Sequence, residues 1–180
     1  PSGALPYGSS TISSISDHAF ETLIGQWRDR LDRPVAADDY AVELDAIRLR
    51  LAAYFGLGCE EAIVFAASGT DLEYAGLAAA YDGRPITAVL LGRDEVGSGC
   101  VHSAAGRFFA PETATGARVV AQSAVDPIFA GIELVDVAVR AAAGRPRASA
   151  AVAAELSLHV ERAAAHDRRV VVHVVHGSKS

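Results

Sequence analysis

Ala66-Ala67-Ser68-Gly69-Thr70-Asp71-Leu72-Glu73 is the stretch on which the fold turns. An apolar run, Ala62 to Ala66, enters it and an Ala-rich helical pattern, Thr70 to Tyr81, leaves it, so it reads as a strand-to-helix junction. A helix starts with backbone N–H groups that lack partners and with the positive end of its dipole. A Ser-Gly-Thr turn placed there offers amide and hydroxyl donors to a dianionic phosphate. The same residues also satisfy helix-capping patterns: Thr70-x-x-Glu73 in the full form and Ser68-x-x-Asp71 in a looser one.

Downstream, the alternation of strand and helix continues. Ile86 to Leu91 reads as a strand, followed by a Gly-rich loop and a short helix through Ala104 to Phe108. Arg118 to Ala121 fits a third strand. Helical sequence surrounds Ile132 to Ala143 and again Ala148 to His166, and Val170 to Val175 is a Val-rich strand suited to burial on both faces of a parallel sheet. Upstream, Asp17 caps a helix running towards Arg30, with Phe20, Leu23, Ile24 and Trp27 on one face, and Asp38 or Asp39 opens a second helix that Gly56 and Gly58 end. The pattern predicts an α/β fold of three layers, α/β/α, around a mostly parallel sheet, with ligands at the carboxyl ends of the strands. Residues 1–38 form an N-terminal arm and helix, and 39–180 the α/β part.

Half of the 180 residues are apolar, enough for a sizeable core. The net charge of −6 argues against a nucleic-acid surface, and the absence of a long apolar run or a basic leader argues against membrane or secretion. Cys59 and Cys100 stand alone, without metal-ligand spacing, which fits a reducing cytoplasm. His173 and His176 are three apart on a predicted strand and so face opposite ways, which makes no metal site. A nucleophile elbow needs Gly-x-Ser-x-Gly, which Ala66-Ala67-Ser68-Gly69-Thr70 does not supply, and no Walker lysine follows the loop.

The run Leu49 to Gly56, then Glu61-Ala62-Ile63-Val64-Phe65 and Ala67-Ser68-Gly69-Thr70, resembles the start of the large domain in fold-type I pyridoxal-phosphate enzymes, especially class V aminotransferases. Leu91-Gly92-Arg93-Asp94-Glu95, Ala104-Ala105-Gly106 and the final Val strand with His176-Gly177-Ser178 continue the likeness, which spans about Tyr40 to Ser180. The resemblance implies that Ser68, Gly69 and Thr70 hold the phosphate of pyridoxal 5'-phosphate. It also implies an amino-acid substrate, carried as an external aldimine through transamination, decarboxylation or elimination and substitution.

Such enzymes place an aspartate on a later strand and a Schiff-base lysine beyond it. Val170 to Val175 has no acid, so the chain resembles the N-terminal half of a large domain, apparently incomplete, with the lysine in a missing C-terminal half or a complementary chain. Lys179, the sole lysine, is a candidate for the imine but also reads as a solvated lysine near the terminus. In relatives a ring from the loop around Arg93 to Gly99 stacks on the cofactor. No aromatic lies in that loop here; His102 is the nearest ring, with a packed or surface histidine as its plainer reading, and Glu95 either lines the pocket or sits in an exposed acidic turn. Ser9 and Ser10, in Tyr7-Gly8-Ser9-Ser10-Thr11, fold over a substrate carboxylate if the arm behaves as in relatives. The alternative is a noncatalytic subunit or pseudoenzyme that supports a partner. On either reading an open half-sheet implies a homo- or hetero-oligomer.

Overall fold

Ile86-Thr87-Ala88-Val89-Leu90 is buried from end to end, as the central strand of a parallel sheet must be. The computed structural model describes residues 15–28 and 36–174 and divides the chain into two compact units between Val64 and Phe65. Ser9, Ser10, His176, Ser178 and Lys179 lie outside the described residues.

The first unit holds α1 (Asp17–Arg28) and α2 (Ala37–Phe55), neither of which buries a residue. Gly56 ends α2 in the left-handed region, φ 66°, the conformation in which glycine costs least. Ala62 to Ala66, expected as a strand, is not one. The Ile63 carbonyl accepts from Arg48 Nε of α2 at 3.1 Å, and no neighbouring strand takes up the ladder.

The second unit contains α3 (Gly69–Ala80), β1 (Ile86–Leu91), α4 (Cys100–Ala104), β2 (Glu133–Val137), α5 (Ser149–Ala165) and β3 (Arg169–His173). The three strands form one all-parallel sheet in the order β2-β1-β3. Strand alternation puts Ile86, Val171 and His173 on one face, where Leu77 of α3 and Phe129 complete the core with Ile132. Thr87 and Val135 face α5 on the other side. The sheet is therefore flanked by helices on both faces. Fully burying Leu77 and Ile86 stabilises the unit by roughly 2 kcal/mol each.

Three further expected elements differ. The short helix expected through Ala104 to Phe108 is α4, which ends at Ala104: Gly106, at φ 65°, turns the chain, and Arg107 bridges to Ala124 instead of continuing a helix. Ile132 to Ala143, read as helical, contains β2. The β-branched Val135 and Val137 and register pairing with β1 outweigh the helix propensity of the alanines that follow, and these turn instead in a loop where Ala141 N–H donates to Arg145. Arg118 to Ala121 is not a sheet strand. It lies in the long β1–β2 connection, folded back on residues 107–112 by isolated bridges, with Val119 N–H donating to the Pro111 carbonyl. The sheet has three strands where the sequence pattern implies four, because Ala62 to Ala66 and Arg118 to Ala121 do not join it and β2 does.

Val171 packs against the cluster that holds Leu77 of α3, and Glu73, one turn earlier, hydrogen-bonds His173, so α3 runs antiparallel to β3. Its N-terminus therefore points past the carboxyl end of the sheet. At the opposite end Asp82 pairs with Arg84 at 2.7 Å and with Arg169, and Arg84 holds its carboxyl well below the usual carboxylate range.

Candidate functional site

The turn before α3 is built by a cap. Ser68 is extended, and its Oγ accepts from Asp71 N–H at 3.1 Å while its hydroxyl lies 2.6 Å from the Asp71 carboxylate, to which it donates. The looser Ser68-x-x-Asp71 pattern is the one realised; Glu73 faces inward instead. The cap leaves the amides of Gly69 and Thr70 without an acceptor among the described residues. The space around Gly69 is open, with no atom within 4 Å of where a Cβ would stand. Thr70 Oγ1 lies 3.6 Å from Cys100 Sγ, which ties α3 to α4. This helix end can hold a small anion on two amides, although the Asp71 carboxylate in the same turn opposes a second negative charge.

His102 is half-buried on α4, two residues beyond Cys100 and so on the helix that Thr70 touches. Glu95 is placed elsewhere. It is 17% exposed and forms an ion pair with Arg140 across a cleft of about 550 Å³ at the carboxyl ends of β1 and β2, and its carboxylate raises the guanidinium pKa. Arg93 and Asp136 also line that cleft, and Arg93 N–H donates to Asp136 Oδ1 at 2.9 Å. Ser68, Gly69, Thr70 and His102 do not line it. The structure thus brings Ser68, Gly69 and Thr70 together with Cys100 at one place and sets Glu95 in another.

Sequence reasoning missed a further pair. Nδ1 of His173, the last residue of β3, hydrogen-bonds Glu73 of α3. His173 and Asp136 share one row of the sheet, each in register with Leu90 and on the same face. Two strand spacings put their backbones about 10 Å apart. The signal for Glu73 was present: it stands four residues before the buried Leu77, on the inner stripe of α3, where an acid needs a partner. Tyr74, on the neighbouring face, donates to the Arg107 carbonyl at 2.8 Å, and burial pushes its phenol pKa up.

No group of three or more metal-binding side chains occurs among the described residues, and no helix there is long and apolar enough to cross a membrane. No protein-family model, curated protein or solved structure matches this chain.

Proposed function

We propose that the chain is the N-terminal part of a fold-type I pyridoxal-phosphate enzyme acting on an amino acid in the cytoplasm. The observation that carries the reading is the N-terminus of α3: a Ser-Gly-Thr turn at the carboxyl end of a parallel sheet with two unclaimed amides. The phosphate end of the cofactor fits it. The amides of Gly69 and Thr70 would hold the phosphate, the Thr70 hydroxyl would add a donor, and Ser68 would fix the turn. When bound, pyridoxal phosphate supplies an electron sink for cleaving a bond at the substrate's α-carbon.

The chain's own residues bind and orient. The lysine would come from Lys179 or a complementary chain. Exposed apolar residues on α1 and α2, Trp27 at 62% among them, support association with such a chain or with a second copy.

A second reading, a noncatalytic subunit that keeps the fold, is favoured by one observation: Asp71 occupies the first turn of α3 with a carboxylate. Titration with pyridoxal phosphate followed by borohydride reduction separates the two. The enzyme reading expects a visible aldimine band and a labelled lysine, in this chain or in a complementing one. Absence of the band with every complementing chain sinks it and leaves the noncatalytic reading.

A further inference from the structure

Glu73 and His173 form a buried pair with one end left open. The His173 side chain is 4% exposed and that of Glu73 16%. An ionised carboxylate only accepts hydrogen bonds, so Nδ1 carries the shared proton and, in the neutral ring, Nε2 is an acceptor. That Nε2 is buried and has no hydrogen-bond partner among the described residues. An unpaired buried nitrogen costs free energy. A carboxylate that fixes one ring nitrogen in this way orients the other towards a bound group.

The position in the fold says what kind of group. The ring sits at the carboxyl end of β3, and Glu73 lies about one helical turn along α3 from the open amides of Gly69 and Thr70. Anion donors and a neutral acceptor thus both lie towards the carboxyl end of the sheet, about one turn of α3 apart. We propose that His173 Nε2 accepts a hydrogen bond from a hydroxyl or N–H of a small phosphate monoester whose phosphate rests on the amides of Gly69 and Thr70. This rests on the phosphate reading above and adds a second point of attachment. His173 selects for a phosphate ester that carries a donor over inorganic phosphate, and Glu73 is a positioning residue that acts through it.

The test uses the full chain with ¹⁵N-labelled histidine, observed by NMR at neutral pH with pyridoxal phosphate or inorganic phosphate as probe, while visible absorption follows binding of the former. In the free protein the proton is expected on Nδ1 of His173, with Nε2 bare. Pyridoxal phosphate moves the Nε2 resonance; inorganic phosphate does not. His173→Phe weakens pyridoxal phosphate about fivefold, the worth of one hydrogen bond, and leaves the affinity for inorganic phosphate unchanged. Should that variant fail to fold, Glu73→Gln in the same spectra shows whether loss of the carboxylate redistributes the ring proton, as expected.

A proton on Nε2 in the free protein overturns the inference. So does pyridoxal phosphate binding that leaves Nε2 unmoved, or an Nε2 signal identical with both probes, as a resident water would give; these outcomes leave the cofactor reading intact. No binding of pyridoxal phosphate removes both.

Discussion

Removing either member of the Glu73–His173 pair should destabilise the second unit more than removing both. Glu73→Leu strands a buried Nδ1–H on a ring whose Nε2 already lacks a partner, a loss of about 1–3 kcal/mol. His173→Leu leaves the Glu73 carboxylate mostly buried and unpaired. Breaking a buried pair costs about 3–5 kcal/mol, and the partial exposure of Glu73 puts this case at the low end. The double variant replaces both polar groups with apolar ones and should cost about 1 kcal/mol, so the cycle yields a coupling of about 3–5 kcal/mol. Trp27, the only tryptophan, belongs to the first unit and reports on the wrong part of the chain. Amide exchange in β1 and β3 under increasing urea is the appropriate assay. Additivity within about 0.5 kcal/mol would refute the reasoning, because it would mean the two side chains do not share a buried contact.

Other outcomes follow from the same structure. Gly106 has φ 65°, and a Cβ there would stand 2.6 Å from Phe129 Cβ in the core, so Gly106→Ala should cost about 2–4 kcal/mol in urea unfolding. Ser68→Ala removes the cap of α3 and should cost about 1 kcal/mol, read by the same exchange assay. The Asp82 pKa is depressed in the fold, chiefly by its hydrogen bond from Arg84. Its contribution is therefore present above the unfolded pKa of about 4 and is lost as pH falls below it towards the folded value. Asp82→Asn should make stability less sensitive to acid in that range, and an unchanged acid limb in pH-dependent melting would contradict this.

Much of the second unit was legible because local preference and tertiary packing agree there. Ile86 to Leu91 is apolar and bounded by turn residues, and it is the central strand. Ser68 both caps and precedes an Ala-rich run, so α3 starts where expected. Ala148 to His166 is Ala-rich too, and α5 fills it. The misses come where the two levels conflict. Ile132 to Ala143 has helix-favouring alanines beside β-branched valines, and pairing with β1 decides for a strand at Val135. Arg118 to Ala121 has the composition of a strand but only a proline-bearing neighbour, so no ladder extends.

Of the candidate site, the turn at Ser68-Gly69-Thr70 could be read locally. The partnership of Glu73 with His173 joins residues 100 positions apart, and Glu95 with Arg140 joins residues 45 apart, so neither shows in local spacing.

The claim that the N-terminus of α3 binds phosphate is tested most directly at two backbone amides. In ¹H–¹⁵N spectra of the full chain titrated with pyridoxal phosphate, the resonances of Gly69 and Thr70 should move first and furthest, with Asp71, whose N–H is held by Ser68, moving less. Saturable binding that shifts other amides and leaves Gly69 and Thr70 in place would contradict the account.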